Sequence, residues 1–175
     1  MSSAPKKRPA ARPQPNLTLS SFLPYRLSVV AAVVSEGLAR TYMRRFGIAV
    51  PEWRVIATIA EFESMTAKAV GRHAHMSKVK ISRAAASLEE RGLLRRLPNT
   101  KDLRESFLVL TPSGKALYAE IAPLALNYVG RLEAAFSDHE KAALDRLLDK
   151  LLDVASQRGE GSPASAQPLK PARRS

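Results

Sequence analysis

The chain has 175 residues and a net charge of +12, enough length for one well-cored domain with tails. It contains no cysteine, which excludes a disulfide framework, thiolate metal sites and cysteine redox sensing and fits a reducing cytoplasm. No apolar run approaches the roughly 20 residues that cross a bilayer, and no apolar core follows the basic N-terminus as a signal peptide requires, so a soluble, cytoplasmic protein without membrane contact is expected.

Residues 1–15, MSSAPKKRPAARPQP, are too rich in Pro, Ala and basic groups to pack, and read as a disordered arm that either attracts phosphates or simply solubilises. Leu17, Leu19, Phe22 and Leu23 then form an apolar segment that packs on a partner subunit or on its own chain. A first helix is predicted from about Ser21 or Pro24 to Phe46, with Leu27, Val30, Val34 and Leu38 as its stripe and Gly47 as its stop. A second helix runs from Pro51 to about Glu63. It carries Trp53, Ile56, Ala57 and Ala60 on one side, and Trp53 reads first as a core anchor. A third, capped by Thr66, covers Ala67 to Ala74. His73 and His75 form an H-x-H pair, but no carboxylate accompanies it and no metal or other cofactor is expected.

The strongest stretch is MSKVKISRAAASLEERG. Ser77 suits an N-cap, Ile81, Ala84, Ala85 and Leu88 recur at helical spacing, and Gly92 follows Arg91 where a helix stops. Lys78, Lys80, Ser82, Arg83 and Ser87 are left for the other faces. A short helix whose first turns carry Ser, Lys and Arg beside a narrow apolar seam suits a DNA major groove. Two extended runs follow, Leu93–Leu97 and Ser106–Thr111, joined by the turn-rich PNTKDLRE with Lys101 and Arg104 near its tip. Residues 68–104 hold ten basic side chains against three acids, a concentration expected of a polyanion binder.

Beyond the hairpin, Thr111 caps and Pro112 opens a long helix to about Phe136 containing Leu117, Ile121, Leu124, Tyr128 and Leu132, with a kink expected ahead of Pro123. Ser137 and Glu140 have capping-box spacing. The last helix carries Leu144, Leu147, Leu148, Leu151 and Leu152, a stripe wide enough for a two-fold interface. Residues 158–175 revert to a disordered tail. The expected fold is mainly α. It is a domain over 16–157 with a winged helix-turn-helix lobe at about 52–111, and elements 17–46 and 112–156 form a dimerisation lobe.

The helix pair beginning near Thr66, the run SKVKISRAAASLEERGLL, the Asp102-x-Arg104 of the wing and the exit strand into LTPSG at 110–114 resemble the MarR family of bacterial regulators over roughly residues 18–156. Two features depart from the family pattern: Ser106 stands where Arg or Lys is frequent, and the helix is rich in alanine. The resemblance implies a homodimer whose first and last helices interlock. It also implies a recognition helix after the turn and a wing arginine on DNA. On that reading a pseudo-palindromic operator is read by Ser77, Lys78, Lys80, Ser82 and Arg83. Arg72, Arg95, Arg96 and Lys101 contact phosphates, and Arg104 enters the minor groove. The family responds to small anionic, often aromatic, effectors, and Tyr25, Arg26, Ser28, Trp53 and Tyr128 become candidate lining residues. Arg40, Arg44 and Arg45 either receive a carboxylate or the phosphates of a coenzyme A thioester, or complement a helix dipole. The expected function is a DNA-binding transcriptional regulator, a repressor released by its effector. No Gly-rich phosphate loop, metal-ligand cluster or nucleophile motif points to an enzyme. The competing reading is a winged-helix module that binds protein.

Overall fold

Local capping and turn chemistry sets most boundaries in the computed structural model, which describes residues 16–100 and 102–157. The basic arm 1–15, the tail 158–175 and Lys101 lie outside the described residues. A short 3-10 turn, Leu19–Ser21, precedes helix α1, Leu23–Phe46. Gly47 ends α1 at φ +62°, a conformation that glycine adopts without steric cost. Helix α2 covers Val50–Phe62, the two-residue strand β1 is Met65–Thr66, and helix α3 is Ala67–His73. The expected cap holds: the Thr66 hydroxyl accepts from the Ala69 amide at 3.3 Å.

Helix α4, Lys78–Glu90, is followed by strands β2, Leu94–Pro98, and β3, Ser106–Leu110. Strand β2 starts one residue later than the pattern suggested, because the Leu93 amide still bonds back to Leu88 O at 2.9 Å. Thr111 leaves the strand to cap the next helix, accepting from the Gly114 amide at 3.1 Å. The sheet order is β1-β3-β2, all antiparallel, with Leu94 opposite Leu110 and Met65 opposite Leu108. Strand β3 is thus central, which explains why Leu108, Val109 and Leu110 are all buried instead of alternating.

Helix α5, Pro112–Glu133, runs without a break through Pro123, and helix α6, Asp138–Gln157, closes the described chain. Between them the Glu140 carboxylate accepts from the Ser137 amide and hydroxyl at 2.8 Å each, holding the Glu140 carboxyl below its ordinary pKa.

The chain divides into two compact units at Ser35, within α1. In the first unit Leu17, Leu19, Phe22, Leu23, Leu27, Val30 and Val34 are all exposed. In the second, the core gathers Tyr42, Ile48, Trp53, Val55, Ile56, Ile59, Val70, Ile81, Leu88, Leu108 and Ile121. The apolar residues of α6 have no such shelter, and none of its residues is buried. Among the described residues no helix is long and apolar enough to cross a membrane.

Candidate nucleic-acid interface

Helix α4 takes its position from both ends. At its start the Ser77 hydroxyl accepts from the Lys80 amide at 3.4 Å, leaving Ser77 in extended backbone. The turn leading in is tight. The Met76 amide bonds to Gly71 O at 2.9 Å, and a Cβ on Gly71 would lie 3.2 Å from Met76 O. His75 completes this turn at φ +47°, a conformation uncommon outside glycine that His adopts more readily than most side chains.

Toward its end α4 is tied to α2 by a polar network. Glu52, only 8% exposed, accepts from the Ala49 amide at 2.7 Å and from the Ser87 hydroxyl at 2.6 Å. Arg91 stands 3.9 Å from the same carboxylate and donates to Phe46 O at 2.9 Å and Gly47 O at 3.0 Å. A carboxylate this buried needs such partners to offset its desolvation. Ser87, which the helical pattern left to an outer face, is therefore a packing contact.

The face turned inward is the one predicted: Ile81, Ala84, Ala85 and Leu88 are at most 5% exposed. Opposite them Val79, Ser82, Arg83 and Ala86 form an exposed strip, flanked by exposed Lys78 and Lys80. Beside this strip a cleft of about 880 Å³ opens between α3, α4 and the wing. It brings together Arg72, Lys78, Ser82, Arg96 and Arg104 from the sequence reading and adds Lys68, which that reading left unassigned. A smaller hollow of about 290 Å³ joins Ser77 and Lys80 to Arg54 of α2. Arg83 and Arg95 are exposed and line neither.

The wing is pre-ordered by its own side chains. Asn99, 9% exposed, accepts from the Asp102 amide at 3.3 Å. Asp102 Oδ1 accepts from the Arg104 amide at 3.0 Å, so Asp102 shapes the turn through the backbone. Leu103 is 88% exposed at the tip. At the base of the wing Arg96 grips Glu89 of α4 in a fork, with Nε 2.9 and 3.1 Å from the two carboxylate oxygens and Nη2 3.0 Å from Oε2. Its Nη1 also reaches the Ser106 hydroxyl at 3.4 Å. Arg96 therefore fastens strand β2 to α4. This bidentate pair has the geometry that gives Arg–carboxylate contacts directional strength.

The effector candidates are distributed differently. Tyr25, Arg26 and Ser28 stand exposed in the first turns of α1, with the Ser28 hydroxyl bonded to Tyr25 O at 2.8 Å. Trp53 is a core residue. Its ring lies 5.5 Å from Tyr42 and 5.9 Å from Tyr118, nearly parallel to the latter. Burial raises the Tyr42 hydroxyl to a pKa of about 12, against the opposing pull of the Arg54 charge, and that hydroxyl has no hydrogen-bond partner among the described residues. Tyr128 is half-buried with its phenol against Gly37, where any Cβ would overlap it, and Arg131 lies 5.9 Å from its ring centroid. Arg40 and Arg44 are exposed, while Arg45 pairs with Glu120 at 3.2 Å. None of these candidates lines either hollow beside α4. His73, half of the H-x-H pair, packs on the Phe62 ring at 4.7 Å. Among the described residues no group of three or more His, Cys, Asp or Glu is placed to hold a metal ion.

A family model described as "MarR family" matches residues 46–105, from the end of α1 to the wing. Over those residues, which form the winged helix, the chain is similar to the MarR family. The chain is 25% identical over 124 residues to the homoprotocatechuate degradative operon repressor of Escherichia coli, covering 71% of this chain and 84% of that one. The fold matches that of Sco3205, a MarR family transcriptional regulator from Streptomyces coelicolor solved in complex with DNA. There the TM-score is 0.71 at 21% identity, over 85% of this chain and 96% of that one. It also matches NadR in complex with 4-hydroxyphenylacetate, with a TM-score of 0.67 at 22% identity over 79% and 97%.

Proposed function

We propose that this protein is a sequence-specific, DNA-binding transcriptional regulator that works as a cytoplasmic homodimer, without a catalytic activity of its own. The observation that carries the reading is the pairing of an exposed Ser/Lys/Arg strip on α4 with a basic cleft running to the wing. A major groove accepts a helix of this kind, and the flanking cations meet phosphates on either side. Ser77, Lys78, Lys80, Ser82 and Arg83 take base edges or positions beside them. Arg72, Arg95 and Lys101 take phosphates, joined by Lys68 and Arg54, and Arg104 takes the minor groove. Arg96 contributes by fixing the wing against α4. The exposed leucines of α6 and the apolar face of α1 supply the two-fold contact, which sets two recognition helices roughly 34–36 Å apart, one turn of duplex.

The likeness to NadR, solved in complex with 4-hydroxyphenylacetate, and to the homoprotocatechuate degradative operon repressor motivates the second half of the proposal. A small anionic aromatic molecule, free or as a thioester, releases a repressor by favouring a spacing of recognition helices that no longer fits the groove. In the second unit Trp53, Tyr128, Arg40 and Arg44 are candidates for receiving it; in the first unit, taken by itself, Tyr25, Arg26 and Ser28 are.

Selection of bound sites from random duplexes, repeated with aromatic acids and their thioesters, tests both halves. A palindromic site with half-sites about one turn apart, lost on adding one acid, is the expected result. Equal affinity for selected and random duplexes would favour instead a winged-helix module that binds protein.

A further inference from the structure

We infer that Val79 reads the C5-methyl group of a thymine, making one A·T pair in each half-site a determinant of sequence preference. The inference rests on the DNA-binding reading above and adds to it a residue and the chemical feature that residue recognises.

Val79 is 58% exposed in the first turn of α4, while the other large aliphatic residues of that helix, Ile81 and Leu88, are 2% exposed or less. An exposed valine is ordinary on a protein surface and means nothing alone. Its placement is what matters. The buried stripe Ile81, Ala84, Ala85 and Leu88 fixes the rotation of α4 on the core, so Val79 falls on the opposite face with Ser82, Arg83 and Ala86. This is the face that would enter the groove, and first-turn residues of a recognition helix are those that reach base edges.

The helix has no local reason to favour valine there. A β-branched side chain loses χ1 freedom in a helix and is a poorer helix former than alanine. Nor can valine hydrogen-bond, so among the surrounding Lys78, Lys80, Ser82 and Arg83 it is the one side chain that gains only from an apolar partner. In unmodified DNA the major groove offers one apolar feature, the thymine methyl. Ser82 and Arg83 on the same face are left for acceptors such as guanine N7 and O6, so the preferred half-site joins a thymine to a purine contact.

Substitution of deoxyuridine for thymidine removes that methyl and leaves base pairing intact, and it gives the test. The full chain is titrated by fluorescence anisotropy against a duplex obtained by site selection, with each thymine replaced in turn. The expected result is one thymine per half-site whose replacement weakens binding by roughly fourfold, the effect of removing one buried methyl-sized group. The dependence on salt should not change, because no phosphate contact is lost. Val79→Ala should bind the parent duplex about as weakly as the wild type binds the deoxyuridine duplex, and should be indifferent to that replacement. The variant keeps a good helix former at an exposed position, and an unchanged melting temperature checks that it folds. A wild type indifferent to deoxyuridine at every thymine would overturn the inference, as would a Val79→Ala variant that retains the full deoxyuridine effect. Either result leaves the DNA-binding reading intact. Failure to select any site at all would remove both.

Discussion

Helices α4 and α6 are both amphipathic, and the chain treats their apolar faces in opposite ways. In α4 the stripe Ile81, Ala84, Ala85 and Leu88 is at most 5% exposed, covered by α2, α3 and strand β2. In α6 Leu144, Leu147, Leu148 and Leu152 are 41–58% exposed, and no residue of the helix is buried. One helix is completed by its own chain, so its polar face is fixed in direction. The other presents a leucine stripe too wide to leave in water, which a second copy of the chain would cover. On the proposed function, the helix that reads DNA and the helix that pairs subunits can thus be broken separately.

The largest effect should come from the pairing side. Leu148→Glu combined with Leu152→Glu places charge on the α6 stripe without touching the core of the single chain. It should convert the proposed dimer to monomers in sedimentation and weaken operator binding by about a hundredfold or more, because the second half-site no longer benefits from the first. Next in size are substitutions that attack how α4 and the wing are held. A Cβ on Gly114 would overlap the Leu93 carbonyl oxygen, so Gly114→Ala should cost about 1–3 kcal/mol in urea unfolding. Glu52→Ala leaves the Ser87 hydroxyl and the Ala49 amide without their acceptor, and should cost about 1–3 kcal/mol in the same assay.

The smallest effect should be at Tyr42, whose buried hydroxyl has no partner among the described residues. Tyr42→Phe should change stability by less than about 1 kcal/mol at neutral pH. It should also remove an alkaline limb. The folded pKa is raised from 10 to about 12, so the neutral phenol stabilises the fold fully below pH 10. That contribution falls away as pH rises through about 12. Thermal melts across this range should show the wild type losing stability there and the phenylalanine variant lacking this component of the loss.

What the sequence made legible was local. Ser77, Thr66, Thr111 and the Ser137/Glu140 pair were readable as caps because the residues that they satisfy lie within a turn. Gly92 was readable because its φ of +66° favours glycine. The buried face of α4 followed from its period. The hidden features join distant segments: Glu52 meets Ser87 across 35 positions and Arg91 reaches Phe46 across 45. Strand β1 has two residues, too few for an alternating pattern to register. Lys68 lines the same cleft as Arg72 and Arg104 only because the fold brings α3 and the wing to it. Arg96, grouped with the phosphate contacts by its charge, is engaged by Glu89, seven positions away on the end of α4.

The most direct test of the account titrates a selected operator and a random duplex of equal length over a range of salt concentrations, with wild type, Arg83→Ala and Arg104→Ala. The predicted result is strong preference for the operator by the wild type, a loss of roughly 1–3 kcal/mol in each variant, and relaxed base preference where Arg83 reads. Affinities and salt slopes identical across all three proteins would contradict the placement of α4 and the wing on DNA.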